Sequence, residues 1–293
     1  MNYTIYNEDC FDWLKRKKEN SITAIVTDPP YGVKEYTKEE MMKQRAGKGG
    51  IWRLPPSFDG HTRHAVPRFS VINDDVQERN NLYNFFFLWG ELALKVLVPG
   101  GHVFIASTPL LSDILSRAMR DAGFERRGEI IRKVSTLRGG DRPKGAETEF
   151  PDISVIPKGL WEPWGLYRKP ISERTIVENL RRWKAGALRR EDVNKPFCDL
   201  IECKKTPAIE REIAPHPSLK PQEFMRKLVY ASLPLGEGVI LDPFSGSGST
   251  LAAATHFGYE CVGIEIDDEF YNMSLSAVPE LARLYPQQLS INC

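Results

Sequence analysis

Apolar positions along this chain fall into two rhythms: short β-branched runs, and longer stretches with apolar residues at helical spacing. Residues 3–6 (Tyr3-Thr4-Ile5-Tyr6) read as a strand that stops at Asn7-Glu8-Asp9. A helix follows, with Phe11, Trp13 and Leu14 inward and the basic residues 15–18 in solvent. Residues 22–27 form a buried strand that ends in Asp28-Pro29-Pro30-Tyr31. The helical pattern is strongest over 81–98 (Leu82, Phe85, Phe86, Trp89, Leu92, Ala93, Val96) and stops at Pro99-Gly100-Gly101. Then come a strand at 102–106, a helix at 112–122 closed by Gly123, and a strand at 127–134. A further strand at 152–156 is expected to pair with it across the polar loop 137–149. From 157 to about 213 the alternation of strand and helix stops. One amphipathic helix stands out there, with Ser172 as N-cap, Ile176, Leu180 and Trp183 on one face, and Gly186 at its end. The alternation then resumes with a helix at 221–233, a strand at 239–241, a glycine turn, a helix at 250–257, a strand at 260–264 and a helix at 268–278.

This pattern divides the chain into 1–156, a small module at 157–213, and 214–293. Residues 32–71 interrupt the first part with glycines, Pro55-Pro56 and scattered basic residues. A connection this long in a compact domain points to a flap that orders over substrate, against a plain surface insert. A chain of 293 residues is long enough for a full α/β core and one extra module.

Net charge is only +1, but it is unevenly spread. Residues 132–212 carry 18 Lys+Arg against 13 Asp+Glu, and residues 32–71 carry 8 against 4. Two basic segments on an acidic body suit a polyanion, although solvated loops explain the charge equally well. Cysteines 10, 198, 203, 261 and 293 show no disulfide or zinc spacing, so no metal site is expected. With no signal core and no membrane-length apolar run, a cytoplasmic protein without membrane contact is expected.

Two turns carry candidate chemistry. Asp28-Pro29-Pro30-Tyr31 places an acid, free carbonyls and a ring at the carboxyl end of a strand, where open α/β sheets bind ligands. A proline-stiffened turn with a solvated acid is the alternative. Phe244-Ser245-Gly246-Ser247-Gly248-Ser249-Thr250 lets a ligand approach the backbone at a helix start. It lacks the lysine of a nucleotide-hydrolysing P-loop, and Leu251 stands where a dinucleotide fingerprint needs its third glycine. A nucleoside cofactor without a pyrophosphate remains, and Glu265, ending the next strand, suits its ribose hydroxyls.

Leu241-Asp242-Pro243-Phe244-Ser245-Gly246-Ser247-Gly248 resembles the S-adenosylmethionine motif of amino-methylating DNA methyltransferases. Asp28-Pro29-Pro30-Tyr31 resembles their catalytic motif. His216-Pro217-Ser218-Leu219-Lys220-Pro221 resembles the segment closing over the methionine end of the cofactor. The order of catalytic motif, recognition region and cofactor motif is that of the β group. The resemblance implies a Rossmann-like class I methyltransferase fold in circularly permuted order, with a mostly parallel seven-stranded sheet, one antiparallel strand and a small target-recognition module. It implies that Phe244, Ser245, Gly246 and Gly248 line the methionine portion and that Asp242 takes its ammonium. Glu265 would bind the ribose, Asp9 the adenine amino group, and Ser218 and Lys220 the carboxylate. Asp9 as a helix cap, and Ser218 and Lys220 as turn and surface residues, stay open as alternatives. Double-stranded DNA is the implied partner, contacted by Arg138, Arg142, Lys144, Arg181, Arg182 and Lys184. A partner restriction endonuclease and a monomer or homodimer are compatible with the group.

In the implied mechanism the Asp28 carboxylate and the Pro29 carbonyl hold the two N–H groups of an exocyclic amine. That localises the lone pair for attack on the sulfonium methyl, near Asp28 on the cofactor side. Pro30 keeps the groups rigid and Tyr31 stacks on an extruded base. Cytosine C5 chemistry needs a cysteine after a proline, which is missing here. Adenine N6 is favoured by the aspartate, with cytosine N4 as the alternative. A protein glutamine methyltransferase and a catalytically silent DNA-binding protein are more remote readings.

Overall fold

The computed structural model describes residues 2–30, 52–53, 66–67, 76–134, 143, 145–155, 157, 159–216 and 218–286. At its centre is β2 (Ile22–Thr27), in which every residue is buried. Ala24 and Val26 face one hydrophobic cluster, Ile22 and Ile25 the other. Such a run needs cover on both faces, as parallel strands between helical layers have.

The remaining strands are β1 (Tyr3–Asn7), β3 (Trp52–Arg53), β4 (Val66–Pro67), β5 (Leu97–Ala106), β6 (Glu125–Lys133), β7 (Trp161–Arg168), β8 (Leu200–Glu202), β9 (Val239–Asp242) and β10 (Glu260–Glu265). The helices are α1 (Cys10–Arg16), α2 (Val76–Val96), α3 (Ser112–Asp121), α4 (Ile176–Trp183), α5 (Ala208–Ile213), α6 (Gln222–Ser232), α7 (Ser249–His256) and α8 (Asp268–Arg283). The main sheet has the order β1-β10-β9-β2-β5-β7-β6-β8, while β3 and β4 pair only with each other. Side chains of α1, α2 and α3 pack one face through Trp13, Leu14, Phe86, Trp89 and Met119. Those of α6, α7 and α8 pack the other through Phe224, Leu228, Ala252 and Val278.

Strand β7 is antiparallel to both β5 and β6, and the other described pairings of this sheet are parallel. The expected arrangement therefore holds, with the three-residue β8 as an eighth strand at the edge. Two expectations need correction. Residues 152–155 form no strand. The partner of β6 is β7, because Trp164, Leu166 and Tyr167 bury there while Ile153 and Val155 stay exposed. The stretch 157–213 is also not set apart, since β7 and β8 within it belong to the main sheet. Its helix α4 is capped by Thr175 in a reciprocal capping box with Glu178, not by Ser172. The Ser172 hydroxyl instead accepts the Trp183 indole N–H at 2.8 Å.

Candidate active site

Strands β2 and β9 lie side by side, with Ala24 opposite Ile240 and Ile25 opposite Leu241. The chain order reverses between them, so the crevice at their carboxyl ends is the switch point of the sheet. The two turns singled out in the sequence leave the sheet there. Thr27 Oγ1 donates to Asp242 Oδ1 at 2.7 Å, joining the ends of the two strands directly.

Pro29 and Pro30 are buried, and the Asp28 side chain is 15% exposed. Lys220 donates to Asp28 Oδ2. The structure thus carries Lys220 to the acid of the first turn, where the sequence reading had assigned it to the cofactor's carboxylate. Tyr31 lies outside the described residues, as do Arg138, Arg142 and Lys144.

Asp242 is buried and also accepts the Phe244 N–H at 3.3 Å. Burial pushes its carboxyl up to about 6, against the Thr250 and Thr27 hydroxyls and the Phe244 N–H, which favour the charged form. Glu265 Oε2 accepts the Gly246 N–H at 2.7 Å, and Oε1 accepts the Asp267 N–H at 2.9 Å. Burial pushes this carboxyl up to about 7, against those two N–H groups. Gly248 has φ 86°, and a Cβ there would meet Val278 Cγ2 at 2.3 Å. Gly246 has φ 50°, and a Cβ there would sit 3.1 Å from His216 Nε2. The segment before α6 therefore folds over the glycine turn, with His216 edge-on to Phe270 at 4.3 Å. Burial, helped by Lys220 and opposed by Asp267, pushes His216 down to about 4. Ser218 is exposed, and its backbone N–H donates to His216 Nδ1 at 3.1 Å. Asp9 caps α1, accepting from Phe11 N at 2.8 Å and Asp12 N at 3.1 Å. It stands beside the end of β1, next to the end of β10 that carries Glu265.

This geometry fits a nucleoside cofactor. At Gly246 and Gly248 the turn presents backbone with no Cβ. The Ser245 hydroxyl is buried with no hydrogen-bond partner among the described residues. Each Glu265 oxygen accepts one backbone N–H, which leaves acceptor capacity for hydroxyl donors.

Arg181, Arg182 and Lys184 are not brought to this crevice. Helix α4 is anchored by Asn179 to Pro99 O, at the amino-terminal part of β5. Since β5 runs parallel to β2, α4 sits at the opposite end of the sheet. Six residues of β2 separate the two ends by about 20 Å. Those three residues are exposed, and Arg182 pairs with Glu173 at 2.7 Å.

Three residues near the crevice were missed in the sequence. Thr27 joins the strand ends, while Glu162 and Arg132 stand behind Lys220. Glu162 Oε1 lies 3.7 Å from Lys220 Nζ, and Glu162 Oε2 is 3.1 Å from an Arg132 guanidinium nitrogen. The Trp-Glu-Pro-Trp context of Glu162 read as a module apart, which hid it.

The fold, with the two turns joined at its switch point, is that of a class I methyltransferase. The family model for DNA methylases acting on N6 and N4 amines matches residues 22–276. The chain belongs to this family of amino-DNA methyltransferases, in its β-group order. Its cofactor is S-adenosylmethionine. Among similar curated proteins are the type II methyltransferase M.HindIII of Haemophilus influenzae, 23% identical with 93% of this chain and 94% of that protein covered, and M2.MboI of Moraxella bovis, also 23% identical with 93% and 86% covered. Among solved structures, the DNA modification methylase TTHA0409 of Thermus thermophilus aligns with TM-score 0.60 at 18% identity, covering 97% of each chain. The cytosine-N4-specific PvuII DNA methyltransferase aligns with TM-score 0.60 at 13% identity, covering 96% of this chain and 92% of its own. These structural likenesses support the fold. Among the described residues, no helix is long and apolar enough to cross a membrane.

Proposed function

We propose that this DNA methyltransferase acts on the N6 amine of an adenine extruded from double-stranded DNA. The observation that carries this reading is the union of the two turns. Asp28 and the glycine turn are far apart in sequence, yet they leave adjacent strands whose ends share the Thr27–Asp242 hydrogen bond. An acceptor for the substrate amine thereby faces the place where a methyl donor is held.

S-adenosylmethionine, when bound, supplies an electrophilic methyl group. Glu265 holds the ribose hydroxyls and Asp9 the adenine amino group. Phe244, Ser245, Gly246 and Gly248 line the methionine portion, Asp242 faces its ammonium, and Ser218 its carboxylate. Asp28 and the Pro29 carbonyl accept the two N–H groups of the target amine, which favours a localised lone pair. The Asp28 carboxylate also offsets the positive charge that grows on that nitrogen. Pro30 fixes the turn, and Tyr31 offers the stacking face. Arg138, Arg142 and Lys144 follow β6 in the sequence and supply phosphate contacts.

Adenine is favoured over cytosine because the first position of the turn is an aspartate, although both amines need the same two acceptors. Mass spectrometry of nucleosides from plasmid DNA treated with the enzyme tests this. N6-methyl-2′-deoxyadenosine is expected. N4-methylcytosine would reassign the base while keeping the mechanism, and unmarked DNA would remove the DNA substrate.

A further inference from the structure

Behind Asp28 stands a line of charges of alternating sign: Asp28, Lys220, Glu162, Arg132. Lys220 and Arg132 are buried. Charges withdrawn from water depend on their neighbours, so each member is stable only through the next. Glu162 is the most firmly held. Its Oε1 accepts the Trp164 indole N–H at 2.9 Å, and its Oε2 accepts from Arg132 at 3.1 Å. Arg132 is fixed in turn by donation from Nε to Cys203 Sγ at 3.0 Å. Burial opposes ionisation of Glu162, yet Lys220 and Arg132 together hold its carboxyl below the usual range.

We propose that Glu162 is a positioning residue that holds the Lys220 ammonium between two carboxylates, so that Asp28 can exchange that ammonium for the substrate amine. The inference rests on Asp28 being the amine acceptor. A neutral amine competes poorly with a desolvated ammonium for one carboxylate. With Glu162 at 3.7 Å, Lys220 keeps a countercharge when Asp28 turns toward the substrate. Among the described residues, no other side chain facing this ammonium performs the same task. His216, close enough to feel it, is kept neutral, and the nearby Asp242 is buried against Thr27 and Phe244. Arg132 faces Glu162 from β6 and cannot substitute for it.

Glu162→Gln keeps the volume and removes the charge. Single-turnover methylation by this variant should slow at least tenfold, while S-adenosylmethionine binding measured by calorimetry stays within threefold. The acid limb of its rate profile should move to lower pH, since the ammonium is left to Asp28 alone. In Lys220→Met the same limb should move to higher pH, since Asp28 loses its ammonium. A purely structural Glu162 would lower the folded fraction and leave the acid limb of folded Glu162→Gln in place. Wild-type rate and limb in folded Glu162→Gln would overturn the proposal. If that variant does not fold, an unmoved limb in Lys220→Met overturns it instead. Asp28→Ala separates the two readings. Turnover retained there ends the amine-acceptor role, whereas an inactive Asp28→Ala beside neutral Glu162 and Lys220 variants ends only the inference about Glu162.

Discussion

Both ends of the central sheet bury polar and charged groups, and they treat them in opposite ways. At the amino-terminal end, Asn179 donates to Pro99 O at 2.9 Å and Ala185 O at 2.7 Å, and accepts the Ser172 N–H at 3.2 Å. Arg168 donates to Gly186 O at 3.0 Å and pairs with Glu125 at 2.6 Å. Lys169 donates to Asn20 and to Leu97 O. These groups are matched to backbone acceptors or opposite charges, so the network is closed. At the carboxyl end, two carboxyls are held above their ordinary range, and Ser245 Oγ lacks a partner among the described residues. Closed networks fix a fold, whereas incomplete ones mark where a ligand finishes the hydrogen bonding.

The contrast breaks most sharply at Asp28. Asp28→Ala should lower the methylation rate by at least about 10³-fold, the scale on which a preorganised electrostatic partner matters. Cofactor affinity should change little, which calorimetry checks. Asn179→Ala is the converse. It strands two carbonyls and one N–H, so urea unfolding should show a loss of about 2–4 kcal/mol. The rate per folded molecule should stay at the wild-type value. A rate loss in Asn179→Ala would erase the distinction between the two ends.

Glu265 gives a smaller effect with a definite sign. Its carboxyl sits at about 7 in the folded protein, above the ordinary carboxylate value, so it is partly protonated at neutral pH. On the proposed ribose role the hydroxyls donate to Glu265, so cofactor binding needs the charged form. S-adenosylmethionine affinity should fall about tenfold between pH 8 and pH 6, and Glu265→Gln should flatten that dependence. In the cofactor-free protein the linkage runs the other way. The contribution of Glu265 to stability is full below its unfolded value and lost as pH rises through about 7. Thermal unfolding across that window, compared with Glu265→Gln, reads it directly.

What the sequence disclosed follows from where physical signals are local. The glycine turn, the proline turn and the buried β2 are each written within a few consecutive residues, and the structure brings them together. Strand β7 was hidden because Pro163 and Gly165 argue against a central strand. It forms because Trp164 and Tyr167 are buried on opposite faces of the sheet, and Pro163 O accepts the Ser107 N–H at 2.9 Å. Helix α8 runs on through Pro279, where the pattern had suggested a stop, because Leu281 and Ala282 bury beyond it. Glu162 could be found only after β7 was placed, since its importance lies in a contact with Lys220 rather than in a motif.

The smallest effect tests which end meets DNA. The family resemblance together with the basic character of this segment implied that Arg181, Arg182 and Lys184 contact the duplex. The sheet puts them about 20 Å from Asp28 along the strand direction, on the end that the closed network of Asn179 fixes. Each phosphate contact contributes about 0.9 to the slope of log affinity against log salt. Replacing all three with alanine should therefore leave both duplex affinity and that slope within error of wild type. Charge removal at Arg138, Arg142 and Lys144 should lower the slope by up to about three such steps. A lowered slope in the α4 variant would mean that the duplex reaches around the sheet, and the separation of a binding end from a structural end would fail.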